Sequence, residues 1–246
     1  DGRADIDGWI ALIPPEDRAS PRLGAEIGRR LLAAGRTKEA LAALETARPK
    51  RRVARVDDRD DPFDIMEGVG DGDWEEVLIE ALDADGQSDL AQQLRWAGFE
   101  QRLSVARLRA YLKRLPDFED FEAERRALRH ALGYRSFAAA LHFFHEWPDP
   151  AGAAQLALAR YAEIDGNLYY LLDPAARQIE GKHPLAATLL RRAMIEDTLE
   201  GAKSTRYKHA ARHLLECRSL LAGIQNFGTF ETHEVFLSRL HAKHGR

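Results

Sequence analysis

Three residues near the end of the chain have the spacing of a metal grip. His209, His213 and Cys217 recur every fourth position, which on a helix stacks them a turn apart along one face. Two imidazoles at i and i+4 can hold a zinc ion, and a thiolate one turn on would add a third ligand. A metal-dependent enzyme at His209 and His213 is one function this spacing permits. Two features argue against it. No Glu follows His209, so the H-E-x-x-H pattern that supplies a zinc hydrolase with its general base is missing. At about 100° per residue, Cys217 also falls mid-stripe among Ala210, Leu214, Leu221 and Ile224, which is the periodicity of a buried helix face. The expectation is therefore a core thiol flanked by amphipathic histidines, with no metal and no cofactor. The i, i+3 pairs His142/His145 and His241/His244 have no further ligands beside them and read as helix-surface pairs.

Other chemistry fails on spacing. An EF-hand loop starting at Asp71 would need glycine at Glu76 and glutamate at Leu82. The acidic run Asp117, Glu119, Asp120, Glu122 and Glu124 opens a helical stretch, where carboxylates favour the positive end of the helix dipole. Gly68-x-Gly70-x-Gly72 follows no strand, and no G-x-S-x-G elbow is present, so neither a dinucleotide loop nor a serine nucleophile is supported. No catalytic set emerges, and an enzyme is the lesser expectation.

The remaining leads are surfaces. Residues 177–246 carry 12 Lys/Arg against 7 Asp/Glu in a chain of net charge −4. Arg191, Arg192, Lys203, Arg206, Lys208 and Arg212, with Tyr207, could form a cationic strip reaching phosphate or an acidic partner. The competing reading is a solvated helix face whose charges pair with Glu196, Asp197 and Glu200. Thirteen of the 20 aromatic residues lie between Trp96 and Tyr170. Phe137, Leu141 and Phe144 have helical spacing and belong in a core. Trp96 with its neighbour Arg95, Tyr111 and Trp147 could instead line a groove.

These residues have to be positioned by helices. The chain has 246 residues, with 39 Ala and 32 Leu against 16 Val plus Ile. Ala and Leu lose little freedom in a helix, whereas β-branched chains lose χ1 freedom there. An all-α protein follows, large enough to bury a core without staples. One cysteine excludes an internal disulfide framework. No run approaches the roughly 20 apolar residues of a membrane span, and a cytoplasmic location is expected. Arg outnumbers Lys 29 to 7, which with the Ala excess reads as coding bias. Ten prolines separate stretches of helical period. The pattern predicts helices over 22–34, 38–48, 74–84, 89–101, 105–114, 117–132, 136–147, 150–163, 184–202, 205–225 and 231–244. One more, over 167–180, would be interrupted by Pro174.

Residues 50–73 break this pattern. Lys50, Arg51, Arg52 and Arg55 precede Asp57, Asp58, Asp60 and Asp61, and Gly68, Gly70 and Gly72 follow. Charge blocks and glycines predict a linker. It would separate an N-terminal hairpin, 1–49, from a main helical domain, 74–246. The first residue is Asp1 rather than Met, which leaves room for an upstream solenoid that the hairpin would continue. An internal repeat straddles the linker. Leu31–Ala40 (LLAAGRTKEA) and Leu82–Ala91 (LDADGQSDLA) match in spacing. In both, a helix would end on a glycine in the left-handed C′ conformation, Thr37 or Ser88 would cap the next helix, and Ala40 or Ala91 would let the two helices approach.

This hairpin spacing resembles tetratricopeptide hairpins. From Trp74 onward, Leu94-Arg95-Trp96-Ala97-Gly98-Phe99-Glu100, Leu108-Arg109-Ala110-Tyr111-Leu112 with Leu115-Pro116-Asp117-Phe118, Glu146-Trp147-Pro148, Lys182–Leu190 (KHPLAATLL) and Arg206–Leu214 (RYKHAARHL) resemble an uncharacterised bacterial all-helical family, a domain of unknown function. Arg29–Gly35 (RRLLAAG) fits the same likeness. The resemblance implies an all-helical fold and no particular activity. The final third is also distantly similar to helices that accompany SWIM-type zinc fingers, although the cysteines of the finger itself are missing.

The expected architecture is an α-solenoid, an αα-superhelix of antiparallel tetratricopeptide-like hairpins, whose stacking would leave a concave face. The expected function is a non-catalytic interaction scaffold for a protein or peptide partner. Its alternatives are a nucleic-acid-associated adaptor using the basic last third and the metal-dependent enzyme above.

Overall fold

The computed structural model describes residues 2–49, 69–201 and 204–244. Residues 50–68 of the expected linker and Lys203 of the expected cationic strip lie outside the described residues. All regular structure among the described residues is helical: fourteen α-helices and three short 3₁₀ turns. No described helix is long and apolar enough to cross a membrane.

The chain forms two compact units, Asp1–Asp120 and Phe121–Arg246. The first contains α1 (Gly2–Leu12), α2 (Pro15–Arg18), α3 (Pro21–Ala33), α4 (Thr37–Thr46), α5 (Val69–Ala84), α6 (Ser88–Arg102) and α7 (Val105–Leu112). Around the second are α8 (Glu119–Leu132), α9 (Phe137–Glu146), α10 (Pro150–Ala159), α11 (Tyr169–Ile179), α12 (Pro184–Glu200), α13 (Tyr207–Leu220) and α14 (His233–His244). The units part at residue 120 and not at the 50–73 segment. Trp74, beyond that segment, shares one core cluster with Ala25, Leu44 and Ala47 of the N-terminal hairpin.

Local chemistry starts these helices. Ser20 accepts from Leu23 N at the head of α3, with Pro21 at the first helical position. Ser104, Ser136 and Asp149 cap α7, α9 and α10 in the same way. The two matching turns are alike in the structure. Gly35 and Gly86 have φ of 72° and 81°. Around them Arg36 N donates to Leu31 O and Gly35 N to Leu32 O, just as Gln87 N donates to Leu82 O and Gly86 N to Asp83 O. These are Schellman closures. The expected caps are not made, however. Arg36 and Gln87 take the N-cap positions, without side-chain caps, and Thr37 and Ser88 are the first helical residues. Arg36 instead holds Glu39 and Asp7 with its guanidinium.

Small residues set the helix spacing. Ala40, Ala91 and Ala210 are buried as expected, Ala186 and Ala187 are buried too, and Ala211 is exposed. Gly24 is a closer contact still: a Cβ there would lie 2.1 Å from Ala47 Cβ. Four elements depart from the sequence pattern. Helices α1 and α2 were not expected, although Ile6, Trp9, Ile10 and Ile13 have helical spacing and pack on Ile27, Leu31 and Ala40. Helix α5 begins at Val69, so Gly70 and Gly72 are helical. Helix α11 runs through Pro174. Proline lacks the N–H that would reach back one turn, but Leu171, Leu172, Ala175, Ala176 and Ile179 are buried on both sides of it and hold the helix together.

Trp74 joins the hairpin to α5, burying its ring while Nε1 donates to Leu44 O at 2.9 Å. Trp74→Ala is expected to cost about 3–5 kcal/mol. Trp74→Phe, which keeps most of the ring and loses the hydrogen bond, should cost about 1–2 kcal/mol. Urea unfolding of the two variants measures the difference.

Candidate functional site

Helix α12 explains what the basic third of the chain does. Ten consecutive residues, Ala186–Ile195, are buried, because α10, α11 and α13 pack around it and Phe236 and Leu240 of α14 close another side. A helix enclosed this way has no solvent face for its middle turns. Arg191 and Arg192, expected on a cationic strip, are 1% and 2% exposed. They are structural, and so is Arg95, which is 3% exposed and paired with Asp83. The signal was available: apart from Thr188, every residue of Leu185–Leu190 and Ala193–Ile195 flanking the two arginines is apolar, and helices without a polar face are buried.

A guanidinium stays charged in a core, so it needs partners. Arg191 Nε donates to Glu216 Oε2 of α13 at 2.9 Å, and Nη2 donates to Glu180, just beyond α11. Arg192 has no carboxylate in ion-pair contact among the described residues. Its Nη1 donates to Glu231 O at 2.8 Å, and its guanidinium carbon lies 4.5 Å from the Phe236 ring centre, over the aromatic face. Burial pulls the Arg192 pKa below the ordinary arginine value.

The Arg191–Glu216 pair extends to the surface. His213 Nδ1 lies 2.9 Å from Glu216 Oε2 and 3.9 Å from Asp173 Oδ1. Burial would raise Glu216, but hydrogen bonds from His213 and Arg191 hold its carboxyl below the usual carboxylate range. An ionised carboxylate can only accept, so the His213 proton sits on Nδ1, and Nε2 is left for the cleft that His213 lines. Arg212 lies 3.4 Å from Glu216 and 3.6 Å from Asp173, and Arg177 donates to Asp173 at 2.9 Å. None of the anchoring acids Asp173, Glu180 and Glu216 was singled out by sequence reasoning, because the partners that tie them across helices, Arg191 for Glu180 and Glu216 and Arg212 and His213 for Asp173, are 11 to 40 residues away.

Above this network lies a cleft of about 210 Å³. Met194 and Thr198 of α12 line it, with Tyr169 and Asp173 from α11 and Arg206, His209, Arg212 and His213 from the start of α13. The loop ahead of α11 is pressed against α12 at Gly166, where a Cβ would lie 2.0 Å from Ala193 O. Arg206 sits over the Tyr169 ring at 4.7 Å and donates to Asn167 Oδ1 at 3.2 Å. Tyr169 and Tyr207 are 51% and 45% exposed.

The metal candidates do not assemble as a ligand set. His209 is exposed, whereas Cys217, two turns further along α13, is fully buried, with its Sγ 3.8 Å from Thr188 O. Burial pushes the Cys217 thiol up to about 11. Among the described residues, the ligand atoms that do meet, all within 4.8 Å of one another, belong to Asp173, His213 and Glu216. The neighbourhood is already balanced. Asp173, Glu180 and Glu216 face Arg177, Arg191 and Arg212, leaving no uncompensated negative charge to hold a divalent cation. The remaining aromatic candidates pack within their own units. Trp96 and Tyr111 lie 5.2 Å apart and are half-buried. Trp147 stacks on Phe143 and donates to Glu124 at 2.9 Å.

The whole chain, residues 1–246, matches the model of a family of unknown function (DUF6880), and the protein belongs to that family. No curated protein and no solved structure matches it.

Two outcomes follow from this arrangement. Arg191→Ala strips a buried pair of one member and should destabilise the protein by about 3–5 kcal/mol, whereas Arg212→Ala, on a half-exposed side chain, should cost under about 1 kcal/mol; thermal and urea unfolding compare them. Cys217 should resist alkylation by iodoacetamide at pH 8 in the native protein and react once urea unfolds the chain, which mass spectrometry reads directly.

Proposed function

We propose that this protein is a non-catalytic interaction module built from stacked antiparallel helical hairpins of tetratricopeptide-like design, and that its second unit binds a segment of another protein at the α11–α13 cleft. The paired Schellman turns at Gly35 and Gly86 and the close approach at Gly24 support the hairpin reading. The observation that carries the binding reading is the rim of the cleft. Tyr169 lines the cleft with Arg206 over its ring, Tyr170 packs edge-on against Tyr169, and Tyr207 follows Arg206 in the chain; all three are about half exposed. Tyrosine and arginine are, with tryptophan, the residues enriched among interface anchors: tyrosine offers a large, stiff contact area with a polar end, and arginine a planar fork of donors that stacks on aromatic rings.

A scaffold role also fits what lies beneath. The histidine and carboxylates under the cleft are tied into ion pairs that hold three helices together, an arrangement suited to a rigid surface. A nucleic-acid adaptor is the weaker reading, because two of the arginines it would need are enclosed in α12. Photocrosslinking tests the proposal. Benzoylphenylalanine placed at Tyr170 or Tyr207 should capture a discrete partner at native expression level, and the same probe at exposed Val235 should not. Tyr169→Ala should weaken that capture about thirtyfold, the effect of removing an interface anchor. No capture at either tyrosine position rejects the proposal.

A further inference from the structure

Resting on that reading, we infer that the α11–α13 cleft recognises a single carboxylate of an acidic peptide segment through Arg206. The arginines of this region differ in one respect. Arg177, Arg191, Arg212 and Arg239 each have a carboxylate partner. Arg206 has none among the described residues. Its guanidinium donates to the neutral Asn167 Oδ1 and stacks on Tyr169, which fixes the plane of the fork without neutralising it. The result is an oriented, half-buried cation at the mouth of a cleft.

The backbone adds to this charge. Helix α13 begins at Tyr207, immediately after Arg206, with no side-chain cap and no acidic residue in its first turn. A 3₁₀ turn over Ser204–Arg206 leads directly into it, and with no acid in that first turn the positive end of the fourteen-residue helix adds to the charge of Arg206 beside the cleft. His209, the third residue of α13, lines the cleft as well. The one acid that lines the cleft, Asp173, is already held by Arg177 at 2.9 Å and by Arg212 at 3.6 Å, so it does not reserve Arg206 for itself.

The size of the site selects the ligand. A run of phosphates needs a run of cations, and here Arg191 and Arg192 are enclosed while Arg212 is shared between Asp173 and Glu216. One unpaired guanidinium, a helix terminus, an apolar floor at Met194 and a tyrosine rim match one carboxylate with an apolar or aromatic residue beside it. That is the pattern of a glutamate or aspartate side chain, or a chain terminus, within a peptide.

Pools of fluorescein-labelled nonapeptides with a fixed central residue between randomised flanks test this against the full-length protein. The glutamate pool is expected to bind about tenfold or more tightly than the glutamine pool. That preference should vanish in Arg206→Ala and partly return in Arg206→Lys, with each variant's unfolding midpoint unchanged to show that the fold survives. Equal binding of the two pools, or a glutamate preference that persists in Arg206→Ala, overturns the inference. So does tighter binding of a phosphoserine pool or of a 12-nucleotide single strand. If the partner captured at Tyr170 is retained undiminished in Arg206→Ala, the carboxylate site falls while the interaction module stands; if nothing is captured and no pool binds, both fall.

Discussion

A guanidinium keeps its charge at any pH a protein survives, so a helix that carries two of them through a core must draw other helices into register around it. This constraint organises the second unit. Arg191 reaches Glu180 beyond α11 and Glu216 on α13, and Arg192 reaches the carbonyl of Glu231 ahead of α14. Apolar burial alone would allow the helices around α12 to slide or rotate by a residue, since Ala and Leu pack tolerably in many registers. The ion pairs do not allow it, because a one-residue shift on a helix turns a side chain through about 100° and would take Glu216 out of reach.

The cleft is a by-product of that registration. With α11, α12 and α13 fixed by Asp173, Arg191, His213 and Glu216, the first turn of α13 stands clear of α12, and Gly166 brings the preceding loop hard against the Ala193 carbonyl. What faces solvent there is the part of the charge network with one cation left over. Arg206 stands at the cleft without a carboxylate among the described residues, while the arginines below it are paired. The binding proposed for this region thus rests on an imbalance of one charge among the described ion pairs.

Much of the fold could be read from local signals. Ala and Leu content gave the class, proline and serine marked where helices begin, and Gly35 and Gly86 took the left-handed turns their spacing implied. Cys217, Phe137, Leu141 and Phe144 were recognisable as core from periodicity. The errors have a common origin. Thr37 and Ser88 are good capping residues, but the turn geometry placed Arg36 and Gln87 at the caps. Arg191 and Arg192 resembled a basic surface because their partners, Glu180, Glu216 and the Glu231 carbonyl, are 11 to 39 residues away and no i, i+4 rule reaches them. The site was half legible: His213, Arg206, Tyr207 and Arg212 stood out by type and spacing, whereas Tyr169, Asp173 and Glu216 belong to it through tertiary packing alone.

The enclosed arginines also constrain the order in which the second unit can assemble. When α12 leaves the ribosome, Glu180 has already been made, but Glu216 is still 16 residues beyond the helix's last residue. Docking α12 onto α10 and α11 at that moment would bury Arg191 with half of its counter-charge, and Arg192 without the carbonyl that accepts from it. Each is a loss of the kind that makes a partly built core unstable. Helix α12 therefore gains little by packing early, and stable burial waits for α13 and the segment leading to α14. The same two charges that set the register of the finished unit make its last three helices a single cooperative step during synthesis.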